Sequence, residues 1–564
     1  MTLENVVEAD VLVIGGGIAG CFAAIKARER GLDATIVDKA YAGKSGGTRV
    51  AGFGYVVFNP EWGHDLDTWM NAINKKGEYI NNREWTEIVL KESWTTYQAL
   101  DSWGVDFTPE SVKSIDPTKA LKIYPPFAFV NLGLTRTGPP SRKQAVKSGV
   151  KIMDGIMVTD LLKQDEKVVG AIGFSPTSYD SYIFKAKATI VSSGIVNFRS
   201  VAEIANLTGD GETMAYRAGA ELTSKEFPDE HVMPLVPTGC LCGEAISYAN
   251  YIDAEGERID LSHTHETRLA LDFAFHAGEG PIFWDLDSAT PEVIEKMCER
   301  QDHTPWRHEA VRSFDPRNRG KYRIAGGAWA GGQNSHTGGI WPINTKCATT
   351  LPGLYAAGET CGTRFLGADH PVPGFGLLGA AVTGSRAGLG AAEYALQAEE
   401  PTIDEEELAR LKKIMNAPAE RKGGFSPRWV TQILRNTMIP YFIIHIKQGE
   451  RLQAALTIVE FLEDHLVPKL TAKDGHELRL AHETKNMVLH AEMILRASLF
   501  RTESRGTHYR EDYPRRDDPT WLAWVKLREE QGRMKLFKEP IPKEWWPDLS
   551  KPYEERYPLR FPGE

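Results

Sequence analysis

The stretch that decides the fold is Val11-Leu12-Val13-Ile14-Gly15-Gly16-Gly17-Ile18-Ala19-Gly20. Its four leading apolar residues predict a buried parallel strand, and its glycines allow a tight turn into a helix whose N-terminus accepts a pyrophosphate. A second apolar run, Ala34-Thr35-Ile36-Val37, ends at Asp38, where a carboxylate accepts hydrogen bonds from ribose hydroxyls. Strand, turn, helix and acid together predict a dinucleotide-binding site.

The composition is that of a globular protein with several domains. The 564 residues carry 66 basic and 76 acidic side chains, so the net charge is −10, which argues against nucleic acid or an anionic membrane as the main partner. The longest apolar run, 438–446, is interrupted by Pro440 and His445 and is about half the length of a membrane span. No basic segment followed by an apolar one precedes the first strand, which favours a cytoplasmic location.

The spacing of the cysteines does not predict a metal site within this chain. Six cysteines are scattered along the chain and none forms a C-x-x-C pair. An iron–sulfur cluster or a structural zinc site within this chain is therefore not predicted. If iron–sulfur centres serve this protein, we expect them on a separate partner protein.

Later segments again contain glycine-rich turns of the kind that bind a dinucleotide. The loop from Lys39 to Gly54 is too rich in glycine to pack as a regular element and needs a ligand to wrap around. A later short strand is again followed by a glycine and an acid, Gly358 and Glu359. Phe375-Gly376-Leu377-Leu378 then opens a helix of small residues, whose N-terminal dipole suits an anionic group.

Changes in composition predict the domain organisation. Residues 227–332 are rich in aromatic, proline and histidine residues, 403–505 show helical periodicity, and the last sixty residues contain repeated prolines. We expect an α/β fold with a Rossmann-like domain at 1–226 and 333–399 and an inserted α+β capping domain at 227–332. A helical bundle at 400–510 and an extended tail at 511–564 complete it.

Several motifs occur in one order along nearly the whole chain, and together they resemble the flavoprotein subunits of the fumarate reductase, succinate dehydrogenase and adenylylsulfate reductase family. Besides the first turn they are Val37-Asp38-Lys39, Ser45-Gly46-Gly47, Thr208-Gly209-Asp210-Gly211, His336-Thr337-Gly338-Gly339, Gly353-Leu354-Tyr355-Ala356-Ala357-Gly358-Glu359 and Glu503-Ser504-Arg505-Gly506-Thr507-His508. The resemblance implies that the dinucleotide is FAD, bound by a domain built from three segments. Covalent members attach FAD through a histidine after the second strand, and no histidine lies between Asp38 and Gly54, so non-covalent FAD is expected.

The motifs and the resemblance together predict a set of cofactor-binding residues. These are Gly15, Gly17, Ala19, Gly20, Asp38, Lys39, Ser45, Gly46, Gly47, Gly54, Gly194, Asp210, Gly358, Glu359, Gly376, Leu377 and Leu378.

The catalytic candidates lie where the chain departs from the family pattern. The cap segment carries Ser247 where fumarate reductases have a proton-delivering arginine, and a serine cannot act as a cationic donor. His336, beside the Gly-Gly turn, is expected to polarise the substrate or exchange a proton, with a structural histidine as the alternative. The further candidates are Arg364 as anion anchor or as the surface partner of Asp369, Tyr248 or Ser247 as proton donor, His231 as cap histidine, and Arg323 as another cation.

The resemblance implies an FAD-dependent oxidoreductase that passes hydride between flavin N5 and a carbon–carbon double bond beside a carbonyl or carboxylate. The departures make plain fumarate an unexpected substrate. One alternative is an adenylylsulfate-reductase-like flavoprotein supplied by a ferredoxin-like iron–sulfur partner, and another is a flavin electron-transfer protein without substrate chemistry. The electron carrier and any homo-oligomer stay open.

Overall fold

The computed structural model describes residues 4–50, 54–107, 126–127, 129–131, 137–199, 206–229, 250–264, 267–302, 315–324, 333–334, 338–370 and 374–564. Its largest sheet has seven strands, and its first strand, Glu4–Ile14, lies at the centre. The other six are Ala34–Asp38, Lys151–Asp154, Met157–Gln164, Lys167–Phe174, Ser181–Val191 and Leu354–Ala356.

The first strand is central because its apolar run can be buried on both faces. Val11, Leu12 and Val13 are at most 1% exposed, as expected for the middle of a parallel sheet covered on both sides. The strand pairs in parallel with Ala34–Asp38 on one side and with Ser181–Val191 on the other. The carboxyl ends of these strands therefore meet at one edge, where ligands bind in open α/β sheets.

Two helices stack against this edge with unusually close backbones. Ile18–Glu29 packs on Phe375–Ala395. A Cβ on Gly384 would lie 2.4 Å from the carbonyl oxygen of Ala19, and one on Gly388 would lie 2.3 Å from that of Ala23. Glycine at both positions thus allows the second helix to lie against the first, which brings its N-terminus to the glycine turn.

Other helices of this region are Gly47–Val50, Leu66–Lys76, Arg83–Ser102, Gly138–Lys147 and Asp210–Ala218, and Gly54–Val56 pairs with Phe129–Asn131.

The segment expected to form the cap contains a small α+β unit of its own. Its strands Asn250–Ile252, Phe283–Asp285 and Lys321–Arg323 form an antiparallel sheet, and Thr267–Ala277 and Pro291–Asp302 are helices. Tyr251, Trp284 and Ile324 belong to its separate hydrophobic core. The chain leaves and re-enters the larger domain at one place, because Pro228–Asp229 pairs with Gln333–Asn334.

The C-terminal region is helical and then extended, as predicted, with one addition. Its helices are Glu405–Glu420, Pro427–Met438, Tyr441–Ile444, Gly449–Phe461 and Gly475–Phe500. The tail also contains an antiparallel hairpin, Ala523–Glu530 with Arg533–Pro540, that joins Leu222–Thr223. The sequence signal for this hairpin is the pair Gln531-Gly532, and both residues have the positive φ of a tight two-residue turn.

Among the residues that the structure describes, no helix combines the length and apolar character that crossing a bilayer requires.

Candidate functional site

The glycine turn between the first strand and the first helix leaves no room for side chains. Gly15 has φ +106°, and a Cβ there would lie 2.5 Å from the carbonyl oxygen of Ser192. A Cβ on Gly20 would lie 2.0 Å from the carbonyl oxygen of Gly15. Gly17 is the N-cap residue of the helix, and Ala19 is buried in its first turn. The helix N-terminus can therefore approach a ligand phosphate through backbone N–H groups alone.

Asp38 lies at the end of the second strand and faces this turn. Its Oδ2 accepts a hydrogen bond from the backbone N–H of Gly16 at 2.8 Å, and its Oδ1 accepts one from Ala40 at 2.7 Å. Ser45 Oγ also donates to Oδ1 at 3.5 Å, so Oδ2 is the oxygen that keeps a further lone pair for a ribose hydroxyl. The acid thus stands beside the glycine turn, as the spacing predicted.

The glycine-rich loop closes over the cleft from one side. The backbone N–H of Ile18 donates to Thr48 Oγ1 at 3.0 Å, which ties the loop to the helix N-terminus. A Cβ on Gly47 would lie 3.6 Å from Glu359 Oε2. Ser45 and Gly46, just before these two contacts in the chain, are half-buried. Thr48 is a site residue that sequence reasoning missed, because its role depends on a contact 30 positions away.

The opposite wall comes from two later segments. Thr360 Oγ1 donates to the carbonyl oxygen of Gly194 at 3.0 Å, and the backbone N–H of Gly358 donates to Thr383 Oγ1 at 2.8 Å. Both glycines have positive φ, +76° and +68°. These bonds hold the Gly358-Glu359 turn against the end of the main sheet.

The helix Phe375–Ala395 begins beside this wall. Leu377 and Leu378 are buried, so their side chains belong to the core. The backbone N–H of Leu378 donates to the carbonyl oxygen of Gly374 at 3.1 Å, so the N–H groups that could reach a ligand are those before it in the first turn. Gly376 is half-buried, and Gly54 lies under the helix start, 3.0 Å from where a Cβ on Gly374 would stand.

Lys39 does not extend into solvent but joins three segments of the fold. Its Nζ donates to Thr208 Oγ1 at 2.7 Å, to Asp210 Oδ2 at 2.6 Å and to Glu483 Oε1 at 2.9 Å. Burial alone would lower the pKa of Lys39, but Asp210 and Glu483 outweigh it and the pKa is raised. Burial would raise the pKa of Asp210, and Lys39 holds it below the ordinary value. Both groups are therefore charged and paired at neutral pH.

One face of the helix Gly475–Phe500 completes this cluster. Glu483, Asn486 and His490 follow each other at helical spacing and are all buried. Asn486 Nδ2 donates to Asp210 Oδ1 at 2.8 Å, and a Cβ on Gly209 would lie 2.6 Å from His490 Nδ1. We call these three residues the supporting stripe. Sequence reasoning missed it because the contacts join residues 276 to 444 positions apart.

The described cofactor side of the site fits a dinucleotide. Cβ atoms on Gly15 and Gly20 would clash with the backbone, and the carboxylate of Asp38 lies beside this turn. The Gly358-Glu359 turn adjoins the first helix and the glycine-rich loop, because a Cβ on Gly358 would lie 2.9 Å from Ala19 Cβ and one on Gly47 would lie 3.6 Å from Glu359 Oε2.

Arg364 is the candidate catalytic residue that the structure describes. It is fully buried, it donates to the carbonyl oxygen of Gly367, and its guanidinium lies 4.8 Å from the ring centroid of Phe227. Burial lowers the pKa of Arg364 to about 9, Glu226 opposes this shift and Arg501 adds to it. The alternative of a surface pair with Asp369 is wrong, because both side chains are buried.

Of the remaining catalytic candidates, four lie outside the described residues and one is exposed on the cap. His336, His231, Tyr248 and Ser247 lie outside the described residues. Arg323 is exposed at the end of a cap strand. Gly338, two positions after His336, abuts the core, because a Cβ there would lie 2.7 Å from the carbonyl oxygen of Ser224.

A buried ionisable pair that interacts with Glu359 was also not predicted. Lys225 Nζ pairs with Glu212, and both side chains are fully buried. Burial raises the pKa of Glu212, Lys225 opposes this and Glu359 adds to it. Burial lowers the pKa of Lys225. No pattern in the sequence marks a buried lysine of this kind.

Comparison with known proteins agrees with this geometry. Residues 10–371 match the family model of the FAD binding domain, and residues 432–557 match the model described as the fumarate reductase flavoprotein C-term.

Two curated relatives align over most of their length. An uncharacterized FAD-dependent oxidoreductase of Methanocaldococcus jannaschii is 30% identical over 538 residues, covering 90% of this chain and 94% of that protein. One of the subunits of the fumarate reductase (CoM/CoB) of Methanothermobacter marburgensis is 29% identical over 560 residues, covering 92% of this chain and 97% of that protein.

Among solved structures, adenylylsulfate reductase from Archaeoglobus fulgidus has the same fold, with a TM-score of 0.79, 22% identity and coverage of 96% and 97%. The chain therefore belongs to the FAD-binding flavoprotein family that includes fumarate reductase and succinate dehydrogenase subunits, and it is an FAD-dependent oxidoreductase.

Proposed function

We propose that this enzyme reduces or forms a carbon–carbon double bond beside a carbonyl or carboxylate, on a substrate other than plain fumarate. The observation that carries the proposal is Arg364, a fully buried guanidinium on the segment that follows the Gly358-Glu359 turn. FAD supplies the two-electron chemistry when it is bound at the glycine cradle. The residues of the chain hold the cofactor, bind the anion, exclude water and move a proton.

Arg364 is suited to hold a carboxylate next to the cofactor. Its pKa of about 9 keeps it charged at pH 7. A guanidinium binds a carboxylate through two parallel hydrogen bonds, and its attraction is stronger where water is excluded. The buried ring of Phe227 packs against the guanidinium and excludes water from it.

The proton-handling residues set the enzyme apart from a plain fumarate reductase. Ser247 replaces the cationic donor that the family resemblance implies, and its hydroxyl cannot clamp a second carboxylate. We assign polarisation of the substrate to His336 and proton transfer to Tyr248 or Ser247, with His231 as a further cap residue. FAD is held without a covalent bond, since the loop over the cleft contains no histidine.

The experiment is anaerobic re-oxidation of the photoreduced holoenzyme, followed by flavin absorbance. An α,β-unsaturated acid or thioester is expected to re-oxidise the flavin faster than fumarate. If no unsaturated compound does so, and sulfite with AMP changes the flavin spectrum instead, the reaction is the adenylylsulfate-reductase-like alternative.

Arg364→Lys tests the anchor. A charged hydrogen bond contributes about 1.5–3 kcal/mol, so the half-saturating concentration of the active acid should rise about 10- to 100-fold while FAD affinity stays the same. Arg421→Lys is the matched control, because Arg421 donates to the carbonyl oxygen of Leu470 at 2.7 Å in the helical region. Equal behaviour of the two variants would remove Arg364 from the site.

A further inference from the structure

Three ionisable side chains meet in the interior next to the cofactor cleft. Glu212, Lys225 and His490 are fully buried. Lys225 Nζ pairs with Glu212 Oε2, and His490 Nε2 lies 3.3 Å from the same oxygen. We call these three residues the buried cluster. They come from three separate parts of the chain, so only the tertiary fold brings them together.

The cluster adjoins the wall of the cleft. Gly211, just before Glu212, donates its backbone N–H to Ser193 Oγ at 3.0 Å. The next residue along that strand end, Gly194, accepts a hydrogen bond from Thr360 Oγ1 of the opposite wall at 3.0 Å. The carboxylate of Glu212 is therefore tied through its own backbone to residues that border the cofactor.

Stability alone does not account for a charge pair at this place. A buried ion pair recovers little more than the cost of taking both charges out of water, and apolar residues of similar volume are often at least as stable. Moreover, Glu212 Oε1 has no hydrogen-bond partner within the described ranges of the chain. Buried ionisable groups next to a cleft are therefore candidates for a functional role.

Glu212 responds to charge in the cleft. Burial raises the pKa of Glu212 above its ordinary value, Lys225 opposes this shift, and Glu359 adds to it. Glu359 belongs to the turn that borders the cofactor, so a negative charge there already favours the protonated form of Glu212. Further negative charge in the cleft acts in the same direction. Linkage is reciprocal, so protonation of Glu212 in turn favours negative charge in the cleft.

The other members of the cluster are less able to take up a proton. Burial and the charge of Lys225 hold the pKa of His490 well below its ordinary value, so its ring is neutral. Burial lowers the pKa of Lys225, Glu212 and Glu226 oppose this, and Arg364 adds to it. Glu212 is thus the acid of the cluster whose protonation adds a positive charge to the interior.

We propose that Glu212 binds a proton when the FAD is reduced. Two electrons and one proton give the cofactor one more negative charge than before, and Glu212 takes a second proton from the solvent. The neutral ion pair then becomes a single positive charge on Lys225, which offsets the charge gained in the cleft. The inference concerns the cofactor alone and goes beyond the proposed function, because it holds for any substrate.

The test is the pH dependence of the midpoint potential of the holoenzyme, measured between about pH 7 and 9 by anaerobic titration with dithionite and redox mediators. Each proton coupled to a two-electron reduction changes the equilibrium tenfold per pH unit, which corresponds to about 30 mV. We therefore expect a slope of about 60 mV per pH unit for the parent and about 30 mV for Glu212→Gln.

Two more variants make the test independent of folding and of burial as such. Glu212→Gln leaves Lys225 without its acid, so Glu212→Gln/Lys225→Met removes both charges and should give the same lower slope. Glu463→Gln is the matched control, because burial also raises the pKa of Glu463, whereas its strongest charged neighbours are Lys485 and Glu492 of the helical region. This variant should keep the slope of the parent.

Equal slopes for the parent and the double variant would overturn the proposal, and so would a parent slope of about 30 mV per pH unit. A lower slope in the control as well would assign the effect to buried glutamates in general and would equally refute a specific role of Glu212. Re-oxidation of photoreduced enzyme by an unsaturated acid tests the proposed function separately, since the potential is measured without substrate.

Discussion

Replacing Glu483 by glutamine is expected to weaken FAD binding, although Glu483 belongs to the helical region. The change keeps the shape of the side chain and removes its negative charge. Glu483 is fully buried, and it pairs with Lys39 at 2.9 Å and with Arg199. Because Lys39 follows Asp38 and also holds Asp210, loss of this charge should loosen both cofactor-facing segments at once.

The size of the expected change in Kd depends on the hydrogen bonds that Lys39 retains. A hydrogen bond to a charged group contributes about 1.5–3 kcal/mol, and we take the lower value because Lys39 keeps Asp210 and Thr208 as partners. Since about 1.4 kcal/mol corresponds to a factor of ten, the Kd for FAD should rise about tenfold.

The assay is titration of the apoprotein with FAD, followed by quenching of flavin fluorescence. Glu492→Gln is the control, because Glu492 lies on the same helix and pairs with Arg496 at 2.6 Å, away from Lys39. In a Lys39→Met background, Glu483→Gln should have no further effect on the Kd, since Glu483 acts through Lys39. An unchanged Kd for Glu483→Gln, or equal effects in both backgrounds, would refute this coupling.

Three further predictions concern the cradle, pH and FAD attachment. Gly20→Ala should weaken FAD binding at least about tenfold, because the added Cβ would meet the backbone of Gly15. Gly31→Ala is the control: Gly31 has φ +81° and no neighbour within 4 Å, so this change should lower only the Tm. An equal loss of FAD affinity in the two variants would contradict the reasoning. Burial raises the pKa of Glu463 from 4.5 to about 7. The fold therefore loses stability as pH rises from 4.5 to about 7, because the unfolded chain releases this proton more readily than the folded one. Above about pH 7 the loss reaches about 3 kcal/mol. Glu463→Gln should therefore raise the Tm at pH 8 but hardly at pH 5, and a shift of equal size at both pH values would speak against this assignment. Acid precipitation should leave the flavin in the supernatant, and flavin in the pellet would show a covalent bond.

Local patterns were sufficient to predict the FAD cradle. A strand that is apolar throughout must be buried on both faces, and only glycine fits a turn where a Cβ would meet a carbonyl oxygen at 2.0 Å. These requirements act within about thirty residues, so they can be read without knowing the rest of the fold. The order of later motifs then identified the family and the FAD.

The sequence by itself therefore determined which cofactor this protein binds and where its first strand, turn and acid lie. Tertiary structure alone decided that Lys39 is held by Glu483 and that Arg364 is buried against Phe227. The physical reason is that burial and ion pairing depend on which distant segments pack together. A lysine, glutamate or arginine has the same letter whether it lies in water or in a dry interior.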